Sequence, residues 1–327
     1  MNMFNFIQAR DADEAIHLAH ANPAAKFIAG GTNLVDLMKM GVEEPNQVVD
    51  INPLELQKIE TLPDGTVRVG AMVRNSDLAY HPVIAEKYPV LSQALLSGAS
   101  PQLRNMATVG GNLLQRTRCP YFYDVVFACN KRVPNAGCSA MEGYNRSHAV
   151  LGASDQCIAT HPSDMGVAVA ALAAIVQIQG PTGSRAIPIL DFHLLPGNTP
   201  EKENILLPGD LIIAVDLPKF SYSLKSHYLK VRDRASYEFA LASAAVALDI
   251  QNGIVREARV ALGGVGTKPW RAMGAEQALK GVSASEAAYR KAAEVALQDA
   301  KPHKFNRFKI ELAKRTLVRA LTTVGEI

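Results

Sequence analysis

Residues 107–164 constrain the fold more tightly than any other stretch of the chain. They open with Ala107-Thr108-Val109-Gly110-Gly111-Asn112 and close with His161-Pro162-Ser163-Asp164, and all four cysteines of the sequence, Cys119, Cys129, Cys138 and Cys157, lie between. No helical or strand period is sustained there; instead the segment is punctuated by Cys119-Pro120, Val133-Pro134-Asn135 and Ala136-Gly137. Ordering such a segment costs roughly 1–2 kcal/mol of backbone entropy per residue, so something must hold it in place. Four thiolates around one metal centre would do so.

Spacing does not identify the metal. The gaps between successive cysteines are nine, eight and eighteen residues, which is neither the Cys-x-x-Cys pairing of zinc ribbons nor the tight ferredoxin run. Disulfides are an alternative, although a chain this large has no need of them for stability. Buried, inert thiols are the bland alternative, at odds with a polar, Pro/Gly-rich setting. Arg116, Arg118, Lys131, Arg132 and Arg146 outnumber Asp124, Glu142 and Asp155 nearby. Such a setting is expected to lower thiol pKa values and to offset the negative charge of an iron–sulfur cluster held by four cysteines.

The rest of the chain reads as an α+β protein. Its 327 residues suffice for two or three domains, and 48% hydrophobic against 20% charged residues describes an ordinary globular core. A net charge of +3 gives no reason to expect nucleic acid as a partner. No apolar run reaches the ~18 residues that a membrane span needs, and the N-terminus lacks the basic-then-apolar pattern of an export signal. Asp11, with Glu14 three residues on, predicts a capped helix after a strand near residues 3–6. A strand at 26–29 then runs into Gly30-Gly31-Thr32-Asn33 and a helix at 34–40. Strand, paired glycines and helix form a geometry in which backbone N–H groups bind phosphate, although a turn that binds nothing has the same pattern. There is no Gly-x-Gly-x-x-Gly and no Gly-Lys-Ser/Thr, so neither a Rossmann fingerprint nor a P-loop is present.

Strands are expected at 48–51, 67–73, 175–178, 186–189 and 211–217, with Asn75 capping a helix and another helix at 91–96. Residues 107–112 make a second Gly-Gly turn, and two such turns suggest a dinucleotide held from two sides. Ser163-Asp164 has the pattern of an N-cap for a helix over 167–174. The polar run at 221–226 marks a boundary. Beyond it, strands at 228–231, 240–250 and 255–262 precede helices at 272–279, 284–300 and 308–321, with Trp270 as a packing anchor.

These motifs resemble a known family. Lys26-Phe27-Ile28-Ala29-Gly30-Gly31-Thr32-Asn33-Leu34 and Thr108-Val109-Gly110-Gly111-Asn112-Leu113 look like the two FAD-pyrophosphate loops of the flavoprotein subunits in the xanthine dehydrogenase (molybdenum hydroxylase) family. Ser163-Asp164, Pro208-Gly209-Asp210-Leu211-Ile212 and Tyr228-Leu229-Lys230 match later stations, and Gly263-Gly264-Val265 through Pro269-Trp270-Arg271 match the C-terminal domain. The likeness covers essentially the whole chain. The cysteine-bearing insertion, about 115–160, is similar to that of the periplasmic aldehyde oxidoreductases, which with the 4-hydroxybenzoyl-CoA reductases carry an additional [4Fe–4S] cluster on this subunit.

The resemblance implies a two-part FAD-binding domain of the vanillyl-alcohol-oxidase type over 1–220. A small α+β domain over 221–327, a three-stranded antiparallel sheet with helices, would follow. It implies FAD held by residues 26–34 and by Thr108, Gly110, Gly111 and Asn112, with Asp164 at the adenosine part, Ile212 beside the adenine and Lys230 near the flavin. It also implies Cys119, Cys129, Cys138 and Cys157 as cluster ligands. The partners would be a large molybdenum-cofactor subunit and a small [2Fe–2S] subunit of a heterotrimer, with no catalytic acid or base on this chain. Export to the periplasm would follow from a signal on a partner, and a cytoplasmic complex is the alternative. Xanthine dehydrogenases place an aromatic residue over the flavin where this chain has Ser97-Gly98-Ala99-Ser100, which counts against NAD as electron acceptor. Tyr237 is a candidate substitute. Two rival functions remain, a stand-alone flavin oxidoreductase and a nucleotide-binding scaffold with a structural zinc site of four cysteines.

Overall fold

A computed structural model describes residues 1–220 and 225–326. The first part of the chain runs β1 (Asn5–Gln8), α1 (Ala12–Ala21), β2 (Ala25–Ile28), α2 (Leu34–Lys39) and β3 (Gln47–Asp50), and its strands make a parallel sheet in the order β1-β3-β2. The Asp11 carboxylate accepts from the amide of Glu14, so the cap expected from sequence starts α1. The second part contains β4 (Ile59–Thr61), β5 (Val67–Gly70), five short helices from α3 (Asn75–Tyr80) through α4 (Pro82–Lys87), α5 (Pro89–Ser97) and α6 (Pro101–Met106) to α7 (Val109–Leu113), and α8 (Pro120–Tyr123). It continues through α9 (Asp164–Ala171), β6 (Ile175–Gly180), β7 (Gly183–Pro188), α10 (Ile189–Phe192) and β8 (Leu211–Leu217), giving an antiparallel sheet ordered β4-β5-β8-β6-β7. The two sheets are the two parts of the expected domain.

The C-terminal part holds β9 (Lys225–Val231), β10 (Ala242–Gln251), β11 (Ile254–Gly263), β12 (Trp270–Arg271), α11 (Met273–Leu279), α12 (Glu286–Ala296) and α13 (Phe308–Glu326). Its antiparallel sheet has four strands, ordered β12-β11-β10-β9, where three were expected. Strand β12 is two residues long and carries no readable period; it exists because Ala261 and Leu262 pair with Arg271 and Trp270. Small residues in β10 (Ala242, Ala244, Val246) let Leu317, Ala320 and Leu321 of α13 pack closely on the sheet. Of the polar run expected as a boundary at 221–226, residues 221–224 lie outside the described residues, and Lys225 and Ser226 already belong to β9.

Two local expectations are corrected. Asn75 does not cap α3: Arg74 holds the cap position, and Asn75 is the first helical residue, its buried Oδ1 without a partner among the described residues. Gly110 and Gly111 do not form an open turn but lie inside α7, which Thr108 caps by accepting from the amide of Gly111.

The insertion is almost free of regular structure, and it is pinned from the C-terminal side. Lys309, fully buried on α13, donates from Nζ to the carbonyls of Ser147 (2.8 Å), His148 (2.9 Å) and Gly264 (2.5 Å). Burial pushes this ammonium down to about 7, yet three carbonyl acceptors call for three donors, which only the charged form supplies. Asn306 donates to the carbonyls of His148 and Ala149, and the amides of Val150 and Leu151 donate to Val265. Lys309→Met should therefore lower stability by at least about 2 kcal/mol, the range for hydrogen bonds to a charged group. Denaturant unfolding of the two proteins checks this, and equal midpoints would contradict it.

Candidate dinucleotide site

A cavity of about 1330 Å³ lies between the parallel sheet, the five-stranded sheet and the edge of the C-terminal domain. It exceeds the roughly 300–1,000 Å³ of ordinary small-molecule pockets and suits an extended dinucleotide. All the predicted cofactor residues from Lys26 to Leu34 except Ile28 line it, together with Thr108, Gly110, Gly111, Asn112, Asp164, Ile212 and Lys230. Ile28 sits immediately behind, its side chain against the position a Cβ on Gly31 would take.

The first glycine loop has free donors. Among the described residues, the amides of Gly30, Gly31, Thr32 and Asn33 donate to no protein acceptor, so four successive N–H groups at the cavity wall remain for a ligand. A run of unpaired amides ahead of a helix is an anion-binding concavity. Gly31 has a φ of +70°, which a side chain adopts only with strain. At Gly30 the constraint is space: a Cβ would stand 1.9 Å from the carbonyl oxygen of Met106. The two glycine segments thus touch through backbone.

The second glycine segment works differently from the expectation of a matching phosphate loop. The amide of Val109 donates to Val73 O, Gly110 to Ala71 O, Asn112 to Thr108 O and Gly111 to Thr108 Oγ1, so this backbone is already spent. Gly110 packs against Ala71, with a hypothetical Cβ 3.2 Å away. The side chain of Asn112 accepts from Gln115 (2.7 Å) and Ser163 (2.6 Å), and that of Asn33 accepts from the amide of Arg116 (2.9 Å). These asparagines brace the walls. Two residues outside the predicted set join the loops: Asn52 donates to Ala29 O (2.9 Å), and Arg74 donates to Asn52 Oδ1 (3.1 Å) and Met106 O (2.5 Å). Neither carries a sequence signal, because each acts through contacts with distant backbone.

Asp164 and Lys230 form one unit. Lys230 Nζ is 2.7 Å from Asp164 Oδ2, the Tyr228 hydroxyl donates to Asp164 Oδ1 (2.5 Å), and Lys230 also donates to Ser97 O. Burial first, then the Asp164 charge, holds the Tyr228 hydroxyl protonated well above its ordinary range. The sequence expectation put Asp164 at the adenosine and Lys230 near the flavin; the structure brings the two side chains together at one station of the cavity wall. Ser163 is the cap of α9, through its Oγ and the amide of Gly166, and that leaves Asp164 free to face β9. Ile212 lies apart on β8, buried beneath the cavity floor.

Ala99 and Tyr237, both cavity-lining and neither glycine, have φ values of 50° and 51°. Left-handed backbone at side-chain-bearing residues is uncommon and gathers at functional sites. The Tyr237 ring is exposed, with the Arg234 guanidinium 5.7 Å from its centre.

Cys119, Cys129 and Cys157 share one buried cluster with Leu37, Phe122, Ala140 and Ile158, with the half-buried Cys138 packed against it, and all four are free thiols, so the disulfide alternative is not realised. Cys129 and Cys138 face each other in an isolated antiparallel bridge. The expected lowering of thiol pKa is reversed. Burial pushes Cys119 up to about 12 and Cys157 up to about 11, and Cys138 is also raised. The cations are spent elsewhere: Arg116 on Glu43 and Glu203, Arg132 on backbone carbonyls, Arg146 on Asp233. Burial alone would raise the Glu203 carboxyl, but Lys131 and Arg116 bring it below its usual range. The sulfurs do meet donors: the amides of Phe122 and Tyr121 at Cys119, of Ala140, Met141 and Ile158 at Cys138, and of Ala159 at Cys157.

Gly30→Ala should separate the two glycine segments and reduce bound flavin to less than a tenth of the wild-type content, as measured by absorbance of purified protein with circular dichroism unchanged. Full flavin retention would show that the contact does not matter.

Residues 2–220 match the family described as FAD binding domain in molybdopterin dehydrogenase, and residues 227–324 match the CO dehydrogenase flavoprotein C-terminal domain. The chain is 51% identical over 322 residues to the aldehyde oxidoreductase FAD-binding subunit PaoB of Escherichia coli (strain K12), covering 98% of each. It is 28% identical to the glyceraldehyde dehydrogenase medium chain of Sulfolobus acidocaldarius, over 84% of this chain and 80% of that one. Among solved structures, a chain of carbon monoxide dehydrogenase from Hydrogenophaga pseudoflava superposes with a TM-score of 0.79 at 25% identity, covering 99% of this chain and 98% of that one. Free loop amides, a dinucleotide-sized cavity and these likenesses along its whole length agree: the chain belongs to the FAD-binding flavoprotein family of the molybdopterin dehydrogenases.

Proposed function

We propose that this chain is the FAD-binding electron-transfer subunit of a heterotrimeric molybdenum-dependent aldehyde oxidoreductase. The observation that carries this reading is the four-amide loop at Gly30 to Asn33 opening on the cavity, in a chain similar over 98% of its length to the FAD-binding subunit of an aldehyde oxidoreductase. Its partners are a large molybdenum-cofactor subunit, where substrate is oxidised, and a small [2Fe–2S] subunit. When bound, FAD exchanges single electrons with iron–sulfur clusters and electron pairs with a terminal acceptor.

The chain's own residues bind, orient and shield. The amides of residues 30–33 would hold the pyrophosphate by hydrogen bonds from their N–H dipoles. The buried Asp164–Lys230 pair, neutral overall, sets a fixed dipole at the cavity wall and joins β9 to α9. Tyr237, which lines the cavity with a left-handed backbone, would cover the flavin ring that Ser97-Gly98-Ala99-Ser100 leave without an aromatic. No side chain here is needed as a general acid or base. No helix among the described residues is long and apolar enough to cross a membrane.

Cys119, Cys129, Cys138 and Cys157 hold a [4Fe–4S] cluster in this reading. Supporting it, each raised thiol is influenced by at least one other cysteine of the set, and amide donors meet three of the sulfurs. Among the described residues no group of three or more histidine, cysteine, aspartate or glutamate side chains is placed to hold a metal ion, so loading would have to draw the four sulfurs together. Raised thiol pKa values mean that metal binding must itself displace the protons. Location in the periplasm, through export with a signal-bearing partner, rests on the family resemblance, and cell fractionation tests it.

Anaerobically purified protein should contain about four iron and four sulfide per chain together with FAD. Zinc without sulfide, and no flavin, would overturn the reading. Cys129→Ser should abolish the cluster and leave most FAD bound; retention of a full four-iron cluster would rule out this ligand set. Tyr237→Ala should slow reoxidation of the flavin by its acceptor several-fold and leave FAD content intact, which stopped-flow absorbance will show.

A further inference from the structure

His148 lies within the insertion, 2% exposed, with Nε2 3.1 Å from the sulfur of Cys119. It is the one side-chain nitrogen or oxygen among the described residues that hydrogen-bonds to a cysteine sulfur, the others being backbone amides. Its tautomer follows from the surroundings. Nδ1 is buried and has no partner among the described residues. With Cys119 bound to the cluster as a thiolate, which has no proton to donate, a proton on Nδ1 would leave a buried N–H unpaired and turn the Nε2 lone pair toward the lone pairs of sulfur. A proton on Nε2 directs the ring's single N–H at the sulfur and leaves only an acceptor unused, the lesser cost.

The position of the ring is set from the C-terminal domain. The carbonyl of His148 accepts from Lys309 Nζ (2.9 Å) and Asn306 Nδ2 (3.3 Å), and its amide donates to Asn145 O (3.1 Å). Asn145 is itself fixed from both sides. Its Oδ1 accepts from the amide of Phe305 (3.0 Å), and its Nδ2 donates to the carbonyls of Ala140 (3.1 Å) and Met141 (3.2 Å) just beyond Cys138. Residues 305–309 thus hold the backbone on which His148 sits.

The geometry points to His148 as an N–H···S donor to Cys119 that tunes the cluster, held in register by Lys309 and Asn306 of the C-terminal domain. This rests on the cluster assignment above. A reduced cluster carries one more negative charge than the oxidised one, so a donor to a ligand sulfur stabilises the reduced form more and raises the reduction potential. His148 is a positioning and tuning residue. It passes no electron itself.

The test uses the full chain in its complex, with iron and sulfide counted first. Absence of both from wild-type protein would defeat the cluster assignment itself, and this inference with it. With four iron present, an anaerobic redox titration of His148→Leu should give a cluster midpoint potential below wild type, and His148→Gln, which keeps a donor, should recover most of the difference. Lys309→Met should shift the potential in the same direction by less. Should His148→Leu fail to assemble a cluster, pulsed EPR on reduced wild-type protein labelled with 15N-histidine decides instead, a weak histidine 15N coupling being expected. A loaded His148→Leu cluster at the wild-type potential, or a labelled protein without that coupling, would overturn the inference.

Discussion

The structure depends on an absent side chain. With no Cβ at Gly30, the first glycine loop comes close enough to the Met106 carbonyl that any side chain there would overlap it. That approach sets the spacing between the parallel sheet and the five-stranded sheet, and so the width of the cavity between them. Asn52 and Arg74 lock the same junction with directed hydrogen bonds. Once the junction is fixed, the amides of residues 30–33 have no partner among the described residues and remain for a ligand.

The two glycine segments look alike in sequence and do different work. In the first, the amides are free and the glycines permit a positive φ and a close approach. In the second, every amide from Val109 to Asn112 is used within the protein, and Gly110 is small because Ala71 lies against it. The dipeptide shows that the backbone comes close to something. It does not show whether that neighbour is a phosphate or another strand, because the difference lies in where Ala71 and Val73 run, more than thirty residues away.

Much of the fold was legible from local pattern. Asp11 and Ser163 cap the helices that follow them, and β8 spans the residues its apolar run marks, since caps and periods act within a few residues. The site was legible in its parts but not in its pairings. Nothing local to Asp164 or Lys230 reveals that the two form an ion pair, which depends on β9 packing beside α9. The charge pattern around the cysteines misled for the same reason. Arg116, Arg132 and Arg146 are neighbours of cysteines in sequence, but carboxylates and carbonyls brought in by tertiary structure claim their charge, and burial then dominates the thiols. Strand β12 was unreadable because two residues have no period.

The insertion joins the two halves of the molecule. It begins at the second glycine segment, carries the four cysteines, and is fastened by Lys309 and Asn306 to the last helical region of the chain. In the proposed complex, electrons reach the flavin of this chain only through partner subunits. Anaerobic mixing with an aldehyde, followed by flavin absorbance, tests it most directly. Rapid bleaching of the flavin is expected in the assembled complex and none in the chain alone. Bleaching of the isolated chain by aldehyde at a comparable rate would contradict it.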